Sequence, residues 1–93
     1  MNHRFQILCA TKKIANGELI ITQIGGRNPL CQIWSLKVDQ AIEGIQSGNW
    51  EFFINSEGKS YPVQLIESKL GKEIVTQGTN KNLILDLPDL PNL

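Results

Sequence analysis

Few side chains in this sequence could serve as a nucleophile, a base or a metal ligand. Cys9 and Cys31 are its two cysteines and His3 is its one histidine. Nucleophilic catalysis by Cys or Ser needs a positioned base, which is most often histidine. A histidine so close to the chain start, where termini are commonly poorly ordered, is not expected to be held in place. We therefore predict that the protein is not an enzyme.

The same inventory bears on metals and cofactors. One histidine and two well-separated cysteines cannot supply the four ligands of the common Cys/His zinc sites, so we expect no metal site and no cofactor. The sequence shows no signal-peptide pattern and no apolar run of the roughly 20 residues that a membrane span needs. We expect a cytoplasmic protein with no membrane association. For Cys9 and Cys31 the alternatives are a disulfide between them and two buried thiols. A reducing compartment favours the two buried thiols.

The most distinctive motif in the first third of the chain is a pair of glycines. Gly25 and Gly26 are followed by Arg27 and Asn28. A phosphate-binding loop would have more glycines, a Lys-Ser or Lys-Thr end and an immediate helix. We therefore predict a structural corner, in which at least one glycine adopts a positive φ and Arg27 and Asn28 stand at the exposed tip.

The charge of the chain is balanced in total but uneven along it. The 93 residues carry nine Lys plus Arg and nine Asp plus Glu, yet residues 1–38 hold five of the basic residues and one acidic residue. Phosphate contacts by the basic residues of 1–38 would make a nucleic-acid interface. Trp34 could provide a stacking surface there, but we favour the alternative that it packs in the core. The candidate binding surface consists of Lys12, Lys13, Arg27, Asn28 and Lys37.

The elements that must position these side chains indicate one α+β domain over 1–93. Hydrophobic residues make up 41% of the chain and charged residues 19%, which is typical of a folded domain. Phe5, Ile7 and Cys9 alternate with Arg4, Gln6 and Leu8, which predicts a first strand, and 19–24 predicts a second. Asn16-Gly17 between them is a turn signal, in a loop we expect to exceed the tightest hairpin. These strands form an N-terminal β-hairpin.

A helix is predicted over about 37–47. The apolar residues of this stretch recur at the spacing i, i+3, i+4 and i+7, which places them on one helical face. They are Val38, Ala41, Ile42 and Ile45. Ser35 is the expected N-cap, and Gly48 fits the helix exit.

Strand patterns follow the helix. The ranges 50–55, 61–68 and 73–77 predict a three-stranded antiparallel meander, whereas 31–36 fits a further strand or a lead-in to the helix. The leucines and prolines of 83–93 predict an extended C-terminal segment laid along the domain.

An ordered set of motifs gives the chain a resemblance to a known family. The set comprises Ile21-Thr22-Gln23-Ile24-Gly25-Gly26, Trp34-Ser35-Leu36, Ala41-Ile42 with Ile45 and Gly48, Phe52-Phe53-Ile54 and the closing leucine-proline segment. In this order the motifs resemble the bacterial family called domain of unknown function 3892. That family typically has Lys-Thr in its last strand, where this chain has Val75-Thr76. The resemblance implies little about activity, because the family is uncharacterised.

Two functional hypotheses follow from these features. The first is a non-enzymatic binding or protein-interaction module, in which exposed strand edges and the Arg27 corner contact a protein partner. The alternative is a small nucleic-acid-binding domain that uses the basic N-terminal third.

Overall fold

Two β-sheets and one α-helix make up the fold, which confirms the α+β prediction. The computed structural model describes residues 3–28, 30–68, 71–79 and 82–89. Its elements, in chain order, are β1 (His3–Gln6), β2 (Cys9–Ala15), β3 (Glu18–Arg27), β4 (Ile33–Lys37), α1 (Val38–Ser47), β5 (Trp50–Ser56), β6 (Lys59–Ser68), β7 (Gly71–Thr76) and a 3₁₀ turn (Leu83–Asp86).

The two sheets divide the predicted first strand between them. The first sheet has the order β1-β5-β6-β7, with β1 parallel to β5 and the other pairs antiparallel, and the second is the antiparallel sheet β2-β3-β4. The Ile7 N–H donates to the Phe53 carbonyl at 2.9 Å, and the Leu8 N–H donates to the Gly25 carbonyl at 2.9 Å. The chain therefore passes from one sheet to the other at 7–8, and the prediction of one continuous strand is wrong.

Both predicted hairpin regions close with two-residue turns. Asn16 and Gly17 have φ values of 53° and 79°, and Glu57 and Gly58 have 52° and 78°. Positive φ at both central residues is the signature of the type I′ turn, which matches the twist of paired strands. The N-terminal hairpin and the β5-β6-β7 meander are thus confirmed, but the first loop is the tightest hairpin and not a longer one.

Helix α1 forms where its apolar spacing predicts it. Ala41 and Ile42 are buried, and Val38 and Ile45 pack against the core. The N-cap is Lys37, whose N–H donates to the Gln40 side chain at 3.1 Å, and not Ser35. Ser35 is held extended in β4, where it pairs with Gly25. Within the described residues, no helix has the length and apolar character needed to cross a membrane.

The chain after β7 completes the core. Ile84 is fully buried, and it joins residues from both sheets and α1 in one cluster. Of the predicted segment 83–93, residues 83–88 are laid along the domain, but they begin as a 3₁₀ turn and become extended only at Leu87. Residues 90–93 of the predicted segment lie outside the described residues. The other buried members of the cluster are Ile7, Ala10, Ile24, Ala41, Ile42, Phe52, Ile54 and Ile74.

The glycine pair lies inside a strand, so the predicted corner is wrong. Gly25 and Gly26 are paired residues of β3, and neither has a positive φ. A Cβ on Gly26 would collide with the backbone oxygen of Gln6 and come within 3.1 Å of the Trp34 ring. Glycine is required here because β1 and an indole ring both approach the backbone of β3.

Candidate functional site

Lys12, one of the residues of the predicted binding surface, is hydrogen-bonded to the C-terminal segment. Its Nζ donates to the Leu85 carbonyl at 3.3 Å and, at shorter range, to the Leu87 carbonyl. The carboxylate of Asp89 lies 3.8 Å from the same ammonium, and the Lys12 side chain is 15% exposed. Lys12 therefore holds the chain end against β2, and it is not presented to a ligand.

Asn28 organises the actual reversal of the chain. Its Oδ1 accepts from the N–H groups of Leu30 and Gln32, both at 2.9 Å, and its Nδ2 donates to the Gln32 side chain at 2.9 Å. An asparagine side chain placed in this way accepts hydrogen bonds from backbone N–H groups of its own turn, and so takes the place of backbone acceptors. The chain thus turns between Asn28 and Gln32, and the amide of Asn28 is already satisfied.

Lys13, Arg27 and Lys37 are exposed and share the outer face of the second sheet. Lys37 pairs with Gln23 near the middle of β3, and Arg27 is the last residue of that strand. At about 3.3 Å per residue these two positions are roughly 13 Å apart. The structure therefore brings together three of the five predicted residues on one face, and separates Lys12 and Asn28 from them.

The two cysteines differ in their surroundings. Cys9 is buried at 4% exposure, whereas Cys31 is exposed on the β3–β4 turn with a φ of 63°. The prediction of two buried thiols is therefore wrong for Cys31. Burial raises the pKa of the Cys9 thiol, because a buried site disfavours the thiolate. Within the described ranges, no group of three or more His, Cys, Asp and Glu side chains gathers in a metal-binding arrangement.

The cysteine environments predict unequal thiol reactivity. In native protein at about pH 8, a disulfide reagent should modify Cys31 rapidly, because its thiol is exposed. Cys9 should react only when the domain opens, because its thiol is buried and its thiolate is disfavoured. The reagent releases one coloured thiolate for each cysteine that it modifies. We expect one equivalent to be released fast from native protein and the second only in denaturant. Two equally fast equivalents would contradict the burial of Cys9.

The sequence leads to an expectation of exposed strand edges but does not locate them, and among the described residues one such edge lies on the first half of β3. β4 pairs only with 23–27, the second half of β3. A bulge follows on the other side, where Lys12 pairs with Ile21 but Thr11 pairs with Gln23, which leaves Thr22 unpaired in the register. Among the described residues, no strand pairs with the β4 side of 18–22 and no turn or loop backbone bonds to it. Alternate N–H and C=O groups of this half-strand therefore point to an open edge.

A groove of about 190 Å³ lies on the inner side of this edge. Leu19 and Ile21 of β3 face it, as do Val38 of α1, Ile74 of β7 and Leu85 of the C-terminal segment. Its remaining lining residues are Ile20, Asp39, Lys72, Glu73 and Asn82. Leu19 is 54% exposed, and its cross-strand partner Ile14 is 74% exposed. The apolar lining of the groove therefore continues onto the exposed end of the hairpin.

A shallower depression lies on the outer side of the same edge. Lys13, Gln23 and Lys37 line it from three strands, and Asp39 lines it from the start of α1. It shares Ile20, Ile21, Val38 and Asp39 with the inner groove. The two depressions thus flank one edge. Lys13 and Lys37 line the outer depression, and Lys72 lines the inner groove.

No protein-family model, curated protein or solved structure matches the chain. The resemblance to domain of unknown function 3892 therefore stays a prediction. Many of its motif residues have structural roles here: Ile24, Ala41, Ile42, Phe52 and Ile54 are core residues. Gly26 accommodates β1 and Trp34, and Trp34 packs on Phe5 and Phe52. The favoured interpretation of Trp34 as a core residue is thus consistent with its contacts.

Proposed function

We propose that this domain is a non-enzymatic cytoplasmic binding module that docks an extended segment of a protein partner on the open edge of β3. The observation that carries the proposal is the short pairing of β4, which leaves 18–22 without a paired strand on that side among the described residues. An extended peptide added to such an edge gains main-chain hydrogen bonds, and adjacent pockets receive its side chains. The resemblance to domain of unknown function 3892 neither supplies nor opposes this activity.

The dimensions of the groove favour a peptide over a small ligand. Small-molecule sites usually have volumes of roughly 300 to 1,000 Å³ and enclose most of the ligand. The inner groove has about 190 Å³, which suits an aliphatic side chain or two. The outer depression has about 350 Å³ but is the more open of the two, so it does not enclose a ligand. The open backbone edge beside it adds hydrogen-bonding groups that a peptide main chain can satisfy.

The test is selection of peptides followed by one surface substitution. Displayed random peptides should yield binders to the wild-type domain, and these should lose at least about tenfold in affinity for Leu19→Lys. Leu19 lines the groove and is already half exposed, so a lysine is compatible with folding but places a charge where an apolar side chain docks.

Leu30→Lys is the matched control. Leu30 is 79% exposed on the β3–β4 turn and is not a lining residue of the groove, so this variant should bind the selected peptides as the wild type does. Equal binding of the peptides by wild type and Leu19→Lys would overturn the proposal, as would a failure to select any peptide. A concentration-dependent dimer that Leu19→Lys dissolves would assign the edge to a second copy and would also overturn it.

The second candidate function is binding of nucleic acid on the outer face of the second sheet. It is supported by Lys13, Arg27 and Lys37, which are exposed on that face. Binding through phosphates is strongest at low ionic strength and falls as salt rises. Mixed-sequence oligonucleotides at about 50 mM salt should then bind, and Arg27→Ala should lower the slope of log K against log salt by about one unit. No detectable binding by the wild type under these conditions removes this candidate.

A further inference from the structure

The two depressions beside the open edge differ in their polar residues. Aliphatic residues from β3, α1, β7 and the C-terminal segment line the inner groove, together with Asp39, Lys72, Glu73 and Asn82. The outer depression has Lys13 and Lys37, with Asp39 as its acidic residue, and it shares its aliphatic residues with the inner groove. Successive side chains of an added strand point to opposite faces of the sheet. A strand on this edge would therefore present its side chains to the two depressions in turn.

We infer that the docked segment is a strand in which aliphatic and acidic residues alternate. This inference rests on the proposed function and names the class of partner sequence. Aliphatic side chains enter the inner groove, and the acidic side chains between them face Lys13 and Lys37.

The charge balance of the outer depression favours an acidic side chain. Lys13 and Lys37 supply two positive charges, and Asp39 supplies one negative charge. Asp39 lies in the first turn of α1, where the positive end of the helix dipole partly offsets its charge. The outer depression is therefore net positive, and Glu18, on the same face at the hairpin end of β3, lies outside its lining.

The chain already holds a segment of related composition along a neighbouring edge. Residues 85–89 read Leu-Asp-Leu-Pro-Asp, and the Ala10 N–H of β2 donates to the Pro88 carbonyl at 2.9 Å. Lys12 binds the Leu85 and Leu87 carbonyls and lies beside Asp89. This intramolecular contact places a leucine-containing segment along a strand edge, with the carboxylate of Asp89 3.8 Å from a lysine.

The experiment compares capped peptides of about seven residues that share their aliphatic positions. The intervening positions are all Glu, all Ser or all Lys, and affinities are measured by titration at low salt. The Glu peptide should bind about threefold to tenfold more tightly than the Ser peptide, and the Lys peptide more weakly than both. In the double variant Lys13→Gln, Lys37→Gln this preference should disappear, so that the Glu peptide binds no more tightly than the Ser peptide.

Two further peptides test the strand geometry. One has the composition of the Glu peptide with its aliphatic residues at helical spacing, and it should bind at least about tenfold more weakly. The other set carries N-methyl groups on alternate backbone amides. Methylation of the amides that face β3 should abolish binding, whereas methylation of the intervening amides should leave it intact, because only the first set donates to the edge.

The possible failures are distinguishable. Equal affinity for the Glu, Ser and Lys peptides, with all three weakened by Leu19→Lys, overturns the acidic preference and leaves the proposed function standing. Equal binding by the two sets of N-methylated peptides would show that the peptide does not add to β3 as a strand. That result would overturn the alternation of side chains. If none of the peptides binds and display selection also yields none, the inference and the proposed function both fail.

Discussion

Gly26→Ala is expected to lower the free energy of unfolding by at least about 3 kcal/mol. The added methyl group would meet the backbone oxygen of Gln6, and it would also press on the ring of Trp34 at 3.1 Å. Backbone cannot move aside as a flexible side chain can, so β1 must separate from β3 or the aromatic cluster must rearrange. Urea or guanidinium denaturation followed by tryptophan fluorescence measures the change.

Gly58→Ala is the matched comparison for the glycine prediction. Gly58 has a φ of 78° and open space around its Cα, so alanine there costs only the left-handed conformation, about 1 kcal/mol. Gly26→Ala should therefore be clearly the more damaging of the two substitutions. Equal losses would contradict the conclusion that close approach, and not a positive φ, demands glycine at position 26.

Ile84→Ala is expected to cost about 2 to 5 kcal/mol of unfolding free energy. Ile84 is fully buried, although it belongs to a short segment that follows all seven strands. Around it, Asn82 donates to the Ile74 carbonyl at 2.9 Å, and the Leu83 N–H donates to the Thr76 hydroxyl at 3.0 Å. Truncating the side chain leaves a cavity between the two sheets that these bonds hold in place. Thermal and denaturant unfolding both measure the loss.

Leu30→Ala provides the control for this prediction. The Leu30 side chain is 79% exposed, so its truncation should change the free energy of unfolding by less than about 0.5 kcal/mol. An effect of Ile84→Ala as small as that of Leu30→Ala would show that the core closes without the C-terminal segment.

The periodic elements of this fold could be predicted from the sequence because local pattern and tertiary packing agree there. Val38, Ala41, Ile42 and Ile45 lie on one helical face, and that face packs on the core. The Asn16-Gly17 signal also marks a true turn, although its two-residue length depends on the register of β2 and β3. Patterns with a period of two or of 3.6 residues report which side of an element is buried.

The remaining differences come from contacts between residues distant in sequence. Gly25 and Gly26 look like a turn because glycine permits a positive φ, but the reason for Gly26 is the approach of β1, which no local pattern reveals. Lys12 looks like an exposed cation, yet the C-terminal segment bonds its ammonium. Cys31 looks like a core residue, yet the turn that Asn28 organises exposes it.

The candidate site was beyond prediction for the same reason. Of the predicted surface, Lys13 and Lys37 line the outer depression, but the inner groove combines β3, α1, β7 and the C-terminal segment. The open edge exists because β4 is shorter than β3, and strand ends are poorly marked in sequence.

Amide hydrogen exchange by NMR, with and without the alternating aliphatic and acidic peptide, tests the central claim most directly. If the peptide adds to the open edge of β3, alternate amides within 18–22 should gain protection when it binds, because their N–H groups acquire acceptors. Amides of the Asn28–Gln32 turn and of the β5–β6 turn should keep their exchange rates. Saturating peptide that leaves the exchange of 18–22 unchanged, or that protects another strand edge instead, would contradict the claim.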